Sequence, residues 1–316
     1  MNTWLKILLI VLGVIMVIVV TGLLLLTRGQ ATDLVTSAPG QRQANQETPA
    51  DYDLPYEDVT VTNDQGQELV GWYIPSENGA VVMLQHGYKS RRQGQLNEAK
   101  MLHDAGYGSL LTTVRAHDES EGELISFGYY EMADLAAWHQ FLLSREEIDP
   151  EKIGMLGVSM GGSLVLQYAS QNEDIKAVIS HSPFSSLDDT VETSVRFFLD
   201  LPDWSVSLIA PLVVFWGEQI GGFDSAEIDA KQWIGDISPR PVFLLDAGQD
   251  IVVSADSTEL LLDAAQEPKY FWQCPECDHA ALDVQRAEQF EACMLGFYDR
   301  YLLEEETNQC QDILTK

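Results

Sequence analysis

Residues 7–26 carry no charged side chain, and only Gly13, Thr21 and Gly22 interrupt the apolar run. Twenty helical residues rise about 30 Å, the thickness of a bilayer's hydrocarbon core. A cleaved signal peptide has a shorter apolar region, about 7–15 residues, and a small-residue cleavage site. The pattern therefore predicts an uncleaved transmembrane signal anchor over residues 1–28, with cleavage near Ala31 or Ala38 as the alternative. No cysteine stands near the end of the run, which excludes a lipoprotein anchor. Lys6 and the terminal amine precede the span and Arg28 follows it. Counting basic residues places the rest of the chain outside the cytoplasm by a narrow margin. Residues 29–53 are rich in Gln, Thr, Ala, Ser and Pro without apolar periodicity, which predicts a polar flexible linker.

From residue 54 to 316 the pattern changes to that of a folded domain. Val59-Thr60-Val61 and Leu69-Val70-Gly71-Trp72-Tyr73-Ile74 flank the polar turn Asn63-Asp64-Gln65-Gly66, an antiparallel start. Ala80-Val81-Val82-Met83-Leu84 is apolar throughout, as a strand buried on both faces requires. Further strands are expected at 109–114, 152–156, 177–179, 241–245 and 270–272. Helices are expected at 96–105, 129–144, 162–169, 258–265 and 281–303. Strands alternating with helices give a mainly parallel, doubly wound α/β sheet. A long insertion over about 185–238 holds Phe197, Phe198, Leu199, Leu201, Trp204, Leu208, Phe215 and Trp216, and predicts a helical lid. Such residues pack a core of their own or line an apolar pocket, and both uses are compatible.

Composition narrows the partners. The hydrophobic fraction is 46% and the charged fraction 21%, ordinary for a globular chain. The net charge of −31 argues against a nucleic-acid partner, which needs a basic surface, and against adsorption to anionic lipid.

The chemistry concentrates at Gly157-Val158-Ser159-Met160-Gly161, between an apolar strand and a helix. In that context G-x-S-x-G reads as a nucleophile elbow. A serine hydroxyl needs a base to take its proton and an acid to orient that base. Asp250 follows the strand ending at Leu245, and His279 follows the last strand. His279 is the only histidine after His181, so the order Ser, acid, base leaves one candidate for the base. Asp246 is a second candidate acid, at the strand end. His86, Arg115 and His117 read as loop braces, and His103 and His139 as surface or satisfied helix residues.

Over residues 56–303 the chain resembles a serine α/β-hydrolase, near the membrane-anchored bacterial esterase-like members of the acylaminoacyl-peptidase and dienelactone-hydrolase branches. The resemblance rests on His86-Gly87-Tyr88, the Ser159 elbow, His181-Ser182-Pro183-Phe184, Asp250 and His279. It implies the α/β-hydrolase fold and an oxyanion hole from the backbone N–H groups of Tyr88 and Met160. The chain departs from the family twice. Arg115-Ala116-His117-Asp118-Glu119-Ser120 stands where Arg-Gly-His-Gly-x-Ser is common, and Ala247 and Ser254 replace a Gly and a Pro of the acid loop.

Cys274-Pro275-Glu276-Cys277 precedes His279, and Cys293 and Cys310 follow. Zinc needs a second ligand pair at defined spacing, and a redox C-x-x-C opens a helix rather than ending a strand. Two disulfides, of unassigned pairing, are the expectation for an exported domain.

The expected activity is hydrolysis of a small-molecule carboxylic ester with Ser159 as nucleophile, His279 as base and Asp250 as orienting acid, and it needs no cofactor or metal. A peptidase or amidase using the same groups is the alternative enzyme. A membrane-tethered binding module that has lost turnover is the alternative outside enzymes.

Overall fold

The computed structural model describes residues 2–199, 203–254 and 256–314. The side chains of Phe197, Phe198 and Leu199, and all of Leu201, lie outside the described residues.

Among the described residues, eight strands form one sheet: β1 (Glu57–Thr62), β2 (Glu68–Ile74), β3 (Val81–Gln85), β4 (Gly108–Thr112), β5 (Ile153–Val158), β6 (Ile175–His181), β7 (Val242–Ala247) and β8 (Lys269–Cys274). Their order is β1-β2-β4-β3-β5-β6-β7-β8. The β1–β2 and β2–β4 pairs are antiparallel, and every other pair is parallel. β3, β4 and β7 are buried along their whole length, which is why their sequences do not alternate. β1 lies at the edge and does alternate between half-buried and exposed positions.

Among the described residues, nine α-helices accompany the strands besides the four-residue helical turn that ends the described chain: α1 (Thr3–Val35), α2 (Leu96–Asp104), α3 (Glu131–Leu143), α4 (Met160–Gln171), α5 (Leu187–Leu199), α6 (Asp203–Gly221), α7 (Ser257–Ala264), α8 (Leu282–Gln285) and α9 (Ala287–Leu302). A short turn at Gln311–Leu314 ends the described chain. One apolar core joins the sheet to α3, α4, α5 and α6, and a second lies between the sheet and α2 and α9. Ala31 and Val35 of α1 are fully buried in the first.

Three segments differ from expectation. The first helix does not stop near residue 28 but runs unbroken to Val35. It is the one described helix long and apolar enough to cross a membrane. The segment expected to be a spacer is laid on the domain instead. Arg42 donates to the carbonyls of Ser37, Ser120 and Gly122, and Asn45 Nδ2 donates to Asp118 Oδ1 at 2.8 Å. Thr36 bridges Leu124 as a single antiparallel pair. Polar side chains bonding to loop carbonyls fix this stretch, and such contacts leave no periodicity in the sequence.

The closing helix also breaks in two. Arg286, with φ −135° and ψ 41°, separates α8 from α9. The break turns Gln285 back toward Asp278, whose N–H it accepts at 2.9 Å and whose carboxylate it bonds at 2.8 Å.

Candidate active site

Ser159 occupies the single residue between β5 and α4, with φ 57° and ψ −121°. A side-chain-bearing residue holds such a backbone only where its surroundings impose it, at a cost on the order of 1–3 kcal/mol. Here the Ser159 N–H donates to His181 O at 2.8 Å, in line with the β5–β6 pairing. The flanking glycines follow from space. A Cβ on Gly157 would stand 2.1 Å from Gly161 O, and one on Gly161 would stand 2.2 Å from Gln85 O. No side chain fits at either position, so the sharp turn requires both glycines.

The turn delivers the serine hydroxyl to the two side chains expected to meet it. Ser159 Oγ is 2.9 Å from His279 Nε2, and His279 Nδ1 is 2.5 Å from Asp250 Oδ2. The other Asp250 oxygen accepts the backbone N–H groups of Val252 and Val253 at 2.8 and 2.9 Å. Those bonds fix the carboxylate's orientation independently of the imidazole. Asp246 is engaged elsewhere, accepting from Thr258 Oγ1 and Gln273 Nε2 at 2.8 Å each. The structure thus brings Asp250, and not Asp246, to His279.

The loops that carry acid and base are bonded to one another. Gly248 N donates to Cys274 O at 2.8 Å and Gln249 N to Cys277 O at 2.9 Å. A Cβ on Gly248 would stand 2.6 Å from Pro275 Cα, so glycine is needed for this approach. Cys274 and Cys277 form a disulfide, and Cys293 and Cys310 form a second. Ala280 N donates to Ser182 Oγ at 3.3 Å and steadies the other side of the base loop. His181 lies buried behind the site, where burial and then the neighbouring His279 push its pKa down to about 3. It therefore stays neutral and brings no charge to the base.

The loop after β3 passes directly over the serine. A Cβ on Gly87 would stand 3.1 Å from Ser159 Cβ, so this glycine permits the approach that sets Tyr88 beside the nucleophile. Among the described residues, neither the Tyr88 nor the Met160 N–H has a backbone acceptor. Met160 also opens α4, where the helix dipole favours negative charge. The Tyr88 ring stacks on Phe127 with centroids 5.4 Å apart. Its hydroxyl donates to Leu34 O at 2.8 Å and Asp33 O at 3.3 Å, and Lys89 Nζ donates to Asp33 O at 2.6 Å. Burial holds the Tyr88 hydroxyl above its ordinary pKa, so it remains a donor. These bonds cap the last carbonyls of α1, which have no partners within the helix.

A cavity of about 300 Å³ opens beside Ser159, walled by Leu34, Phe127, Phe184, Val191, Val195 and Val213 among others. Its lining is mainly apolar and comes partly from the expected lid helices. The part played by α1 was not expected, because nothing in a membrane-span pattern marks its last turn as a cavity wall.

The remaining histidines brace loops or pack in helices. His86 Nδ1 bonds Gly87 O and His117 Nδ1 bonds Arg115 O, each at 2.8 Å, with the two rings 4.8 Å apart. Burial lowers the pKa of both. His139 bonds the Tyr168 hydroxyl at 3.0 Å within the core. Arg115 pairs with Asp134 of α3, a partner the sequence did not reveal, at 2.7 and 2.9 Å. Ala116 and Asp118, which replace the family's glycines, adopt left-handed backbone at φ 61° and 49°. No group of His, Cys, Asp and Glu among the described residues is arranged to hold a metal ion.

A family profile described as the alpha/beta hydrolase fold matches residues 80–231. The esterase Pf2001 of Pyrococcus furiosus superposes with a TM-score of 0.72 and 25% identity, over 85% of this chain and 98% of that one. The chain has the alpha/beta hydrolase fold. The chain is also similar to the Bacillus subtilis protein YqkD, at 25% identity over 240 residues, 74% of this chain and 76% of that one. A Mycobacterium tuberculosis protein, Rv2307c, is 27% identical over 251 residues, covering 76% and 81% of the two chains. The names of these two relatives state no activity.

Proposed function

We propose that this alpha/beta hydrolase is a membrane-anchored serine hydrolase that cleaves carboxylic esters through an acyl-enzyme. The observation that carries the reading is the unbroken series Ser159 Oγ, His279 and Asp250, set on a strained turn beside an apolar cavity. His279 Nε2 takes the hydroxyl proton as Oγ attacks the ester carbonyl. Asp250 holds the ring so that Nε2 faces the serine and stabilises the imidazolium. The carbonyl electrons move to oxygen, which receives the N–H groups of Tyr88 and Met160. One such donor is worth about 3–4 kcal/mol in the transition state. The tetrahedral adduct collapses, the alcohol leaves with the proton from His279, and the acyl group stays on Ser159. Water, deprotonated by the same imidazole, releases the carboxylic acid and restores the serine. None of these steps calls for a metal or cofactor.

The apolar lining and the esterase neighbour support an ester over an amide as substrate. The two disulfides support export of the domain across the membrane, with α1 remaining as its anchor. A fluorophosphonate probe tests the nucleophile: it is expected to label the wild type and not Ser159→Ala. Labelling that persists in Ser159→Ala would remove the assignment. A panel of p-nitrophenyl esters and aminoacyl-anilides then reads the bond cleaved, with esters turned over at least tenfold faster.

A further inference from the structure

The cavity beside Ser159 and the membrane-spanning stretch share one helix. Residues 7–26 are uncharged, and the same helix continues without a break to Leu34, a cavity wall. The eight residues from Leu26 to Leu34 rise about 12 Å. Headgroups add roughly 5–8 Å to each side of a bilayer's hydrocarbon core. The cavity therefore stands at, or just above, the headgroup layer.

α6 runs beside this part of α1, and among the described residues no other two helices pack as extensively. A Cβ on Gly217 would stand 3.4 Å from Val35 Cγ1, and the Arg28 guanidinium lies 5.6 Å from the centre of the Trp216 indole. Arg28 is the first charge after the apolar run and marks the headgroup level, where arginine and tryptophan both reside well. α6 thus meets the membrane surface too. It carries Trp204, Leu208, Pro211 and Phe215 at spacings that share one helical face. Trp204, Leu208 and Phe215 are 72%, 61% and 47% exposed, unusual for large apolar residues of a folded domain. On its other face the same helix turns Val213 into the cavity. One apolar helix therefore connects the membrane surface with the interior of the site.

We infer that the substrate is a long-chain carboxylic ester held in the bilayer, and that its acyl chain enters the cavity laterally along α1 and α6. The occupant of the exposed α6 face is the bilayer itself. Drawing an acyl chain through water exposes every methylene to solvent, and lateral entry avoids that cost. The net charge of −31 repels anionic headgroups, which selects neutral or zwitterionic esters. The inference rests on the ester-hydrolase reading and on α1 as a membrane span.

The test uses the full chain reconstituted in phosphatidylcholine vesicles. 4-Methylumbelliferyl palmitate dissolved in the bilayer reports the lateral route, and p-nitrophenyl butyrate in the buffer reports the chemistry alone. The expected result is at least tenfold higher kcat/KM for the palmitate ester in the wild type. Leu208→Glu combined with Phe215→Glu should lower palmitate turnover about tenfold while butyrate turnover and fluorophosphonate labelling stay within twofold. If the double variant also loses butyrate turnover through misfolding, Trp204→Gln carries the same comparison. Butyrate cleavage with the palmitate ester left intact, or palmitate cleavage indifferent to these substitutions, overturns the lateral route and leaves the ester hydrolase standing. No cleavage of either ester and no label on Ser159 overturns both.

Discussion

On one side of Ser159 the acid and base loops are bonded to each other through Gly248, Gln249, Cys274 and Cys277. Ser182 and Gln285 steady the base loop from further along the chain. On the other side, among the described residues, the Tyr88 loop has no comparable partner in the C-terminal half. It rests on Phe127 and on the carbonyls that end α1. The proton-relay side is thus closed within the hydrolase domain. The Tyr88 side, the proposed oxyanion side, is completed by the helix that the sequence assigns to the membrane. A site with this division keeps its relay geometry if α1 is disturbed, and loses first the placement of the Tyr88 N–H.

Four substitutions sharpen or break that contrast. The largest effect is expected at the relay. Asp250→Asn should lower kcat about 10⁴-fold, the loss that follows when the acid of such a triad no longer fixes the imidazole tautomer. Asp246→Asn should leave kcat near the wild type and cost about 1 kcal/mol of stability, because the amide keeps one acceptor oxygen and loses the other. Steady-state kinetics with a soluble ester decides it, and equal losses in both variants would erase the distinction between the two acids.

The next effect lies where the two sides meet behind the sheet. Glu98 of α2 is buried against Asp283 of α8, and burial, then Asp283, pushes its pKa up to about 8. The folded chain keeps the Glu98 proton to about pH 8, whereas the unfolded chain gives it up near the ordinary 4.5. Between those values the folded state binds more protons, so stability falls as pH rises and levels off above about pH 8. Glu98→Gln removes the slope and should stabilise the protein by a few kcal/mol at pH 8, since each unit of pKa is worth about 1.4 kcal/mol. Denaturant unfolding at pH 5 and pH 8 measures it. An unchanged slope in the variant would mean that Glu98 does not retain its proton.

The smallest effect tests the tie to α1. Tyr88→Phe keeps the ring on Phe127 and removes the bonds to Leu34 and Asp33. A hydrogen bond of about 1 kcal/mol converts to about a fivefold loss in kcat. KM should stay constant, because the cavity wall remains. An unchanged kcat would show that α1 does not hold the oxyanion loop in place.

The contrast also separates what the sequence made legible. That Ser159, Asp250 and His279 come together was legible because each follows a recognisable strand in a fixed chain order. Strand positions were legible for the same reason, since buried parallel strands are continuous apolar runs. The oxyanion side was legible only at Tyr88 and Met160, as an implication of family resemblance. Its support comes from main-chain carbonyls at residues 33 and 34, and carbonyls carry no sequence signature. Arg42 likewise binds carbonyls, so the stretch after α1 read as a spacer. The break at Arg286 is invisible in a helical pattern, because it serves a loop contact rather than a change in periodicity.

The backbone at Ser159 has one further consequence. Its conformation is imposed by the β5–β6 pairing and by Gly157 and Gly161 together, so a chain that has not assembled those strands relaxes it. The serine is then an ordinary hydroxyl among many. On the proposed serine-hydrolase reading, reactivity toward an electrophilic probe therefore counts assembled molecules, and a pulse of probe during refolding would time the moment at which each chain completes its sheet.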